Sequence, residues 1–358
     1  MRKARWLAAS EGVSGKPAVY HCVSRVVDRR FVLGDDEREK FRTFLRMQEK
    51  FTGCRVLTYC VMSNHFHLLL EVRPLPEGGL TDEELLQRLG AIHTEAEVAV
   101  VAGELAAARV SGRDDLASEI HGRFSYRMYN LSEFMKTLLQ RFTRWFNRTH
   151  QRKGTLWEER FKSVIVESGT AARTVAAYID LNPVRAGMVA DPAEYRWSGY
   201  GEALGGGAKG NGGKARAGLV RVCLWDEGGA RSPDARWTDV SRIYRRQMGL
   251  ALGRRSGRAA VDKSLQRPSL NQAEVLATTG GDNGTVLPDP GMAAMLRCRI
   301  RYFTDGAVIG SREFVNEVFD QARQRFPGRR KSGARRVRGA AAPASGVLWS
   351  LRDLRVDV

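Results

Sequence analysis

Cysteine is scarce in this chain, and long apolar runs are missing from it. The 358 residues include five widely spaced cysteines and no CxxC pair, which argues against a disulfide framework and a structural zinc knuckle. No run reaches the ~18–20 apolar residues of a membrane-spanning helix. No GxxxxGK[ST] loop indicates ATP-driven chemistry. The basic N-terminus lacks the apolar stretch of a signal peptide, so we expect a cytoplasmic protein without a membrane partner.

Positive charge, by contrast, is abundant. Lysine and arginine number 58 against 40 acidic residues, which gives a net charge of +18 and a pI near 10.1. A surplus of that size favours a polyanionic partner, with nucleic acid as the first candidate. Apolar residues make up 43% of the chain and charged residues 27%, which is the mix of a soluble protein of two or three domains.

The first half of the chain has the pattern of an α+β fold. Alternating apolar residues predict strands over 18–27, 54–62, 65–73 and 161–167. Helical periodicity predicts helices over 128–149 and 170–182. A further helix begins after Asp35 or Asp36, either of which is a plausible N-cap. The short turn at Ser63-Asn64 predicts an antiparallel hairpin. The order β, α, β, β, α, β, α indicates a mainly antiparallel sheet with helices on one face.

The remaining segments have other compositions. A Pro/Gly stretch followed by an Ala/Glu-rich segment predicts a helical insertion of two helices, and eight glycines in eighteen positions predict a flexible linker. The Arg-rich last region contains an amphipathic helix starting near Ser311 and a basic cluster at 329–338. This region is either a second DNA-related module or a solvated basic extension. The sequence therefore predicts an N-terminal tail (1–16), a core (17–200) with an insertion at 74–126, a linker (201–218) and an accessory region (219–358).

Two histidines stand two positions apart on a predicted strand. His65 and His67 therefore leave the same face of the sheet, and Phe66 points into the core on the other. Two adjacent imidazoles can chelate a divalent metal and leave positions open for substrate oxygens. The alternative is a pair of structural or surface histidines. The three-histidine pattern of nucleotide hydrolases would need a histidine at position 69, which is Leu69.

A tyrosine and an asparagine share a face of a predicted helix. Tyr178 and Asn182 lie four positions apart. A phenol, with an ordinary pKa of about 10, is a poor nucleophile near neutral pH. It becomes useful when a metal activates the electrophile, and an asparagine oxygen can add a ligand. The alternative is a core tyrosine followed by a helix-terminating Asn-Pro.

Four separated motifs together resemble a known family. They are YHCVSR at 20–25, YCVMSNHFHLLLEV at 59–72, TLWEERFKS at 155–163 and AAYIDLNPVRAGMV at 176–189. In this order they resemble the HUH transposases, and within the IS200-like single-strand transposases they are most similar to the REP-associated tyrosine transposases. The resemblance implies a ferredoxin-like antiparallel sheet with helices on one face over 17–200. The helical insertion and the mainly helical, Arg-rich C-terminal extension depart from the short members of the family.

The same resemblance implies an active site. His65 and His67 would be metal ligands for Mg²⁺ or Mn²⁺, Asn182 would complete the site, and Tyr178 would be the nucleophile. The implied activity is cleavage and rejoining of single-stranded or hairpin DNA through a 5′-phosphotyrosine link. A homodimer with shared active sites is left open. One alternative is a former transposase that binds DNA hairpins without cutting. Another is a plasmid relaxase or replication initiator, although those usually show three histidines or paired tyrosines.

Contacts to DNA need cations and flat rings. Cations neutralise phosphates, and aromatic rings stack on single-stranded bases at about 1–3 kcal/mol per base. We therefore predict DNA contacts from Arg141, Arg144, Arg148, Trp157, Arg160, Lys162 and Arg185. The alternative places the tryptophan in the core, the arginines on a solvated face and Arg185 at a helix end as a simple terminal charge.

Overall fold

The computed structural model describes residues 16–205, 212–225, 233–253, 301–304, 306–326, 328–337 and 348–352. Most of the predicted N-terminal tail, the middle of the predicted linker and much of the basic accessory region lie outside the described residues.

The first elements of the chain build a sheet with helices packed on it. In chain order they are β1 (Ala18–Arg25), α1 (Asp35–Thr52), β2 (Arg55–Val61), β3 (His65–Val72), α2 (Asp82–Leu89), α3 (Glu95–Val110), α4 (Asp114–Ser125), α5 (Leu131–Thr149) and β4 (Lys162–Val166). With α2–α4 set aside, the order is βαββαβ. The strands lie side by side as β2-β3-β1-β4, and all three pairings are antiparallel. This is the ferredoxin-like arrangement.

The α+β fold and the hairpin predicted from the sequence are therefore confirmed. Val61 pairs with Phe66 across the β2–β3 turn. Helix α1 begins one or two residues earlier than predicted, because Gly34 rather than Asp35 or Asp36 is the N-cap. The Gly34 N–H donates to Glu37 Oε2 at 2.8 Å. The two aspartates instead occupy the first turn, where negative charge stabilises the helix dipole.

The two sides of the sheet carry different layers. Phe66 packs against Phe41 of α1, with ring centroids 4.7 Å apart, and Phe41 in turn contacts Phe142 of α5. The two helices of the ferredoxin-like core therefore lie on one face, as expected. His67 follows Phe66 on β3 and so points to the opposite face. A further helix, which carries Tyr178, covers that face.

The elements after β4 extend the structure on both sides. They are α6 (Thr170–Asp180), α7 (Asn182–Arg185), α8 (Gly199–Gly205), α9 (Gly212–Leu224), α10 (Pro233–Gly253), α11 (Arg301–Thr304), β5 (Val308–Gly310), α12 (Arg312–Gln321), β6 (Arg335–Arg336) and β7 (Trp349–Leu351). None of the described helices is long and apolar enough to cross a bilayer.

The insertion forms three helices where the sequence predicts two. Helices α2 and α3 each begin with a capping box. The Thr81 and Thr94 side chains accept from the backbone N–H of Glu84 and Glu97, and the side chains of those glutamates accept from the threonine N–H. The three helices bury a small core of their own against Phe51 at the end of α1. A turn at 111–113 separates α3 from α4.

The glycine-rich segment is not a flexible linker in its described part. Residues 201–205 and 212–218 belong to α8 and α9, and both helices are largely buried. A Cβ on Gly218 would lie 2.4 Å from the Val56 carbonyl oxygen, and one on Gly201 would lie 2.0 Å from the Tyr195 carbonyl oxygen. These glycines permit close backbone packing, which composition alone does not distinguish from flexibility.

The C-terminal region shares the sheet and the core with the first half. Strand β5 runs parallel to β4, with Ile165 opposite Val308, and β7 pairs antiparallel with β5. The guanidinium of Arg221 in α9 donates to the buried Glu71 of β3 at 2.6 Å. The helix predicted to start near Ser311 is confirmed, since Ser311 Oγ accepts from the Phe314 N–H at 3.2 Å.

The packing of α9 predicts the effect of a single methyl group. We expect Gly218→Ala to lower the free energy of unfolding by about 1–3 kcal/mol, because an added Cβ overpacks the contact with β2. Gly213→Ala in the same helix is the matched control, since its Cβ would meet nothing within 4 Å. Urea denaturation of both variants makes the comparison. Equal stability of the two variants would restore the linker interpretation.

Candidate active site

A cavity of about 560 Å³ opens where β1 ends and β3 begins. Its position follows from the fold, because Arg25 and His65 face each other at that end of the antiparallel pair. The cavity brings together seven of the residues singled out from the sequence: His65, His67, Arg160, Lys162, Tyr178, Asn182 and Arg185. These seven come from three separated parts of the chain.

The two histidines are side by side and neutral. Their ring centroids are 5.1 Å apart. Burial, together with the nearby Arg25 guanidinium, lowers the pKa of His65 to about 4. Burial and the neighbouring His65, His21 and two arginines hold the pKa of His67 well below its ordinary value. Near pH 7 both rings therefore keep a lone pair on one nitrogen, which is the form that binds metals.

A third histidine, which sequence reasoning did not single out, contacts the pair. The His21 Nε2 and His67 Nδ1 atoms lie 3.0 Å apart, and the two rings are 23° from parallel with their centroids 5.2 Å apart. Burial lowers the pKa of His21 to about 4, against a smaller opposing effect of its hydrogen bond to the Phe303 carbonyl. The two-residue period of a strand could have indicated this residue. His21 and Arg25 are four positions apart, so they share a face of β1, and pairing with β3 makes it the face of His65 and His67.

Tyr178 reaches the histidines from α6. Its ring centroid is 5.8 Å from that of His67. The Phe303 ring of α11 stacks on the Tyr178 ring with centroids 4.6 Å apart, and the Arg185 guanidinium lies over the Tyr178 ring, 4.9 Å from its centroid. The side chain is 2% exposed and still borders the cavity. The phenol is thus held between aromatic rings with a cation beside it.

Asn182 lies just beyond a break in the helix. The sequence predicts one helix over 170–182, whereas α6 ends at Asp180 and a short second helix begins at Asn182. Pro183 fits there because the first turn of a helix needs no proline N–H. Asn182 Nδ2 donates to the Ile179 carbonyl at 3.2 Å, which leaves the amide oxygen as the other polar atom of that side chain.

A buried carboxyl group fixes the helix that carries the tyrosine. Asp180 accepts from Thr58 Oγ1 at 3.0 Å, from Tyr244 Oη at 2.7 Å and from the Tyr200 N–H at 3.1 Å. Burial raises its pKa to about 7, and the three hydrogen bonds act in the opposite direction. Helix α6 is thereby joined to β2, α8 and α10.

The rim of the cavity is mainly basic. Two residues that sequence reasoning missed, Arg25 and Arg29, line it together with the predicted cations, against the acidic pair Glu158 and Glu159. Close by along the chain, Phe31 is 79% exposed. An exposed aromatic ring that follows two arginines is a feature suited to stacking on a base.

Four of the predicted DNA contacts lie away from the cavity. Trp157 is 8% exposed and makes a T-shaped contact with Phe66 in the core, which agrees with the alternative that places this tryptophan in the core. Arg141 is half-buried and donates to the Ile92 carbonyl of the insertion. Arg144 and Arg148 are exposed on α5, on the opposite side of the sheet from the histidines.

The side chains at the cavity include three that could act as ligands of a metal ion. Among the described residues, no group of three or more His, Cys, Asp or Glu side chains is arranged to hold an ion. A cation here would rest on two neutral imidazoles and the Asn182 amide oxygen, with substrate and water oxygens completing its shell. Such a mixed set of nitrogen and oxygen ligands would leave positions of the cation open to substrate and water.

The Asp180 network predicts a stability effect away from the cavity. We expect Tyr244→Phe to lower the free energy of unfolding by about 1–3 kcal/mol, because it removes one donor from a buried carboxylate. Tyr126→Phe is the matched control, since Tyr126 is 60% exposed. Thermal or chemical denaturation measures both. A Tyr244→Phe protein as stable as the control would show that α10 does not support α6.

The comparison with protein families matches the part of the chain that contains the first two motifs. Residues 16–76 match the sequence model of the family described as Transposase IS200 like, and no curated protein matches the chain. A solved structure described as a REP-associated tyrosine transposase bound to a REP hairpin is similar at 14% identity, with a TM-score of 0.36, over 57% of this chain and 87% of that chain. The segment that matches the family model contains β1, β2 and β3 with the three histidines.

Proposed function

We propose that this protein is a transposase that cuts and rejoins single-stranded, hairpin-bearing DNA, with Tyr178 as its nucleophile. The observation that carries the proposal is the meeting of Tyr178, His65 and His67 at one cavity. A DNA-binding protein that did not cut would need a basic surface but not this combination. All three side chains of the proposed site belong to one chain.

The proposed chemistry is a phosphoryl transfer to the phenol. The Tyr178 oxygen forms a bond to phosphorus while the bond from phosphorus to the 3′ oxygen breaks. The phenol loses its proton and the departing 3′ oxygen gains one, so the products are a 5′-phosphotyrosine and a 3′-hydroxyl. Attack by a different 3′-hydroxyl reverses the step and joins strands, and no external energy source is needed because the covalent link conserves the phosphodiester.

Side chains at the cavity assist that step in different ways. The Arg185 guanidinium lies over the Tyr178 ring and would stabilise negative charge that develops on the phenol. His65, His67 and Asn182 would hold Mg²⁺ or Mn²⁺, which when bound would neutralise and polarise the phosphate. Phe303 packs on the tyrosine ring and limits its motion, which keeps the nucleophile oriented.

The strand of DNA would enter over the basic rim. Arg25, Arg29, Arg160, Lys162 and Arg185 give this mouth an excess of positive charge over its two glutamates. Backbone phosphates are drawn to such a rim, and the exposed Phe31 ring offers a stacking surface beside it. The α5 arginines would contact only DNA that continues around the edge of the sheet.

Removal of one hydroxyl group tests the proposed nucleophile. We expect Tyr178→Phe to lose covalent attachment to a labelled hairpin oligonucleotide by at least about a thousandfold, while binding is retained. Denaturing gels with Mg²⁺ or Mn²⁺ present measure attachment, and fluorescence anisotropy measures binding. Tyr126→Phe serves as the control and should cut like the unmodified protein.

Two outcomes of this experiment would contradict the proposal. Attachment by Tyr178→Phe at the unmodified level would remove Tyr178 from its role. A parent protein that binds the hairpin tightly but forms no covalent product with either metal would favour the non-cutting hairpin-binding protein.

The proposed DNA path predicts a salt dependence. When a protein binds single-stranded nucleic acid, log K falls with log salt concentration, and each phosphate contact adds about 0.7 to the steepness of that line. We therefore expect the double variant Arg160→Gln/Lys162→Gln to reduce the slope by about 1.4, whereas Arg144→Gln/Arg148→Gln, with the same loss of charge, leaves it unchanged. Anisotropy titrations at several salt concentrations measure both. Equal losses would place DNA along α5 as well.

A further inference from the structure

A chain of hydrogen bonds runs from the backbone of α11 to His67. The Phe303 carbonyl oxygen lies 2.8 Å from His21 Nδ1, and His21 Nε2 lies 3.0 Å from His67 Nδ1. A carbonyl oxygen can only accept, so the proton of the neutral His21 ring is on Nδ1. His21 Nε2 then carries the lone pair, and His67 Nδ1 has to be the donor between the two rings.

A second chain of the same form ends at His65. The Arg29 carbonyl oxygen accepts from Asn64 Nδ2 at 3.0 Å. That contact sets the orientation of the Asn64 amide, so its oxygen is the atom 2.6 Å from His65 Nδ1. An amide oxygen only accepts, and His65 Nδ1 is therefore the protonated nitrogen of its ring.

Both chains lead to one protonation pattern. Each begins at a backbone carbonyl that has no proton to give, and each ends with the proton of a cavity histidine on Nδ1. The lone pair of His65 and that of His67 are consequently both on Nε2. The opposite tautomer of His67 would set two lone pairs against each other at 3.0 Å, which is unfavourable in a buried site.

We propose that His21 and Asn64 are positioning residues that hold His67 and His65 in the Nδ1–H tautomer, so that both rings offer Nε2 to a divalent cation. The cation site rests on the proposed function, whereas the tautomers do not. His21 is also a neutral acceptor. The carboxylate that often supports a metal-bound histidine would add negative charge beside the phosphate, and His21 orients His67 without that charge.

The metal-free protein itself tests the tautomers. Long-range proton–nitrogen NMR spectra of protein labelled at its six histidines distinguish Nδ1–H from Nε2–H rings, and single substitutions assign the signals. We expect the Nδ1–H pattern for both His65 and His67 near pH 7.5. An Nε2–H pattern for His67 in the unmodified protein would overturn the proposal without any variant.

Matched variants test the role of His21. His21→Phe keeps an aromatic ring but removes the acceptor, and we expect Nε2–H His67 to appear and Mn²⁺ affinity to fall by about 10–100-fold. His21→Gln places an amide oxygen near the position of Nε2 and should restore both readouts. His150→Phe, which removes a histidine bonded to Glu37 far from the cavity, is the control and should change neither.

A second arm keeps the test decisive if His21→Phe fails to fold, as circular dichroism would reveal. Asn64→Ala should release the His65 tautomer and weaken Mn²⁺ binding, whereas Asn64→Asp, which keeps an acceptor, should retain the Nδ1–H ring. Unchanged tautomers and Mn²⁺ affinity in folded His21→Phe and Asn64→Ala would refute the positioning roles. Nδ1–H rings in a protein that never cuts DNA would refute the proposed function and leave this inference standing.

Discussion

The alternation of side chains along β3 is the constraint on which the site depends. Phe66 enters the apolar layer formed with α1 and α5, and His67, one step on, enters the layer beneath α6. A slip of one residue in the pairing would exchange the two and place an imidazole in the core. Antiparallel neighbours fix the register on both sides, with Val23 of β1 and Cys60 of β2 opposite His67. Strand β3 thus places apolar side chains on the face packed against α1 and α5 and the histidines on the face that borders the cavity.

The tyrosine, by contrast, is held in place by residues scattered along the chain. Asp180 ties α6 to Thr58 on β2 and to Tyr244 on α10. The ring of Tyr178 is confined by His67 from the first strands and by Phe303 from near the end of the described chain. The core motifs therefore contain the side chains proposed to react, while later segments determine how firmly those side chains are oriented.

The features that could be predicted from the sequence depend on residues that lie a few positions apart in the chain. Strand period placed His65 and His67 on one face, and helical spacing paired Tyr178 with Asn182. His21 was overlooked because its two partners, His67 and Phe303, are 46 and 282 residues away. Gly218 looked like part of a linker, because close packing against Val56 leaves no local signal. Strands β5 and β7, of three residues each, are too short for periodicity to reveal.

The bond between His21 and the Phe303 carbonyl has a consequence for the order in which the molecule is made. A ribosome adding ~5–20 residues per second takes roughly 15–60 s to travel from the first partner to the second. Once Tyr178 has been added, the histidines and the tyrosine all exist in the nascent polypeptide, but His21 still lacks its anchor and Tyr178 its stacking partner. Full orientation of these side chains is therefore postponed until Phe303 has been synthesised.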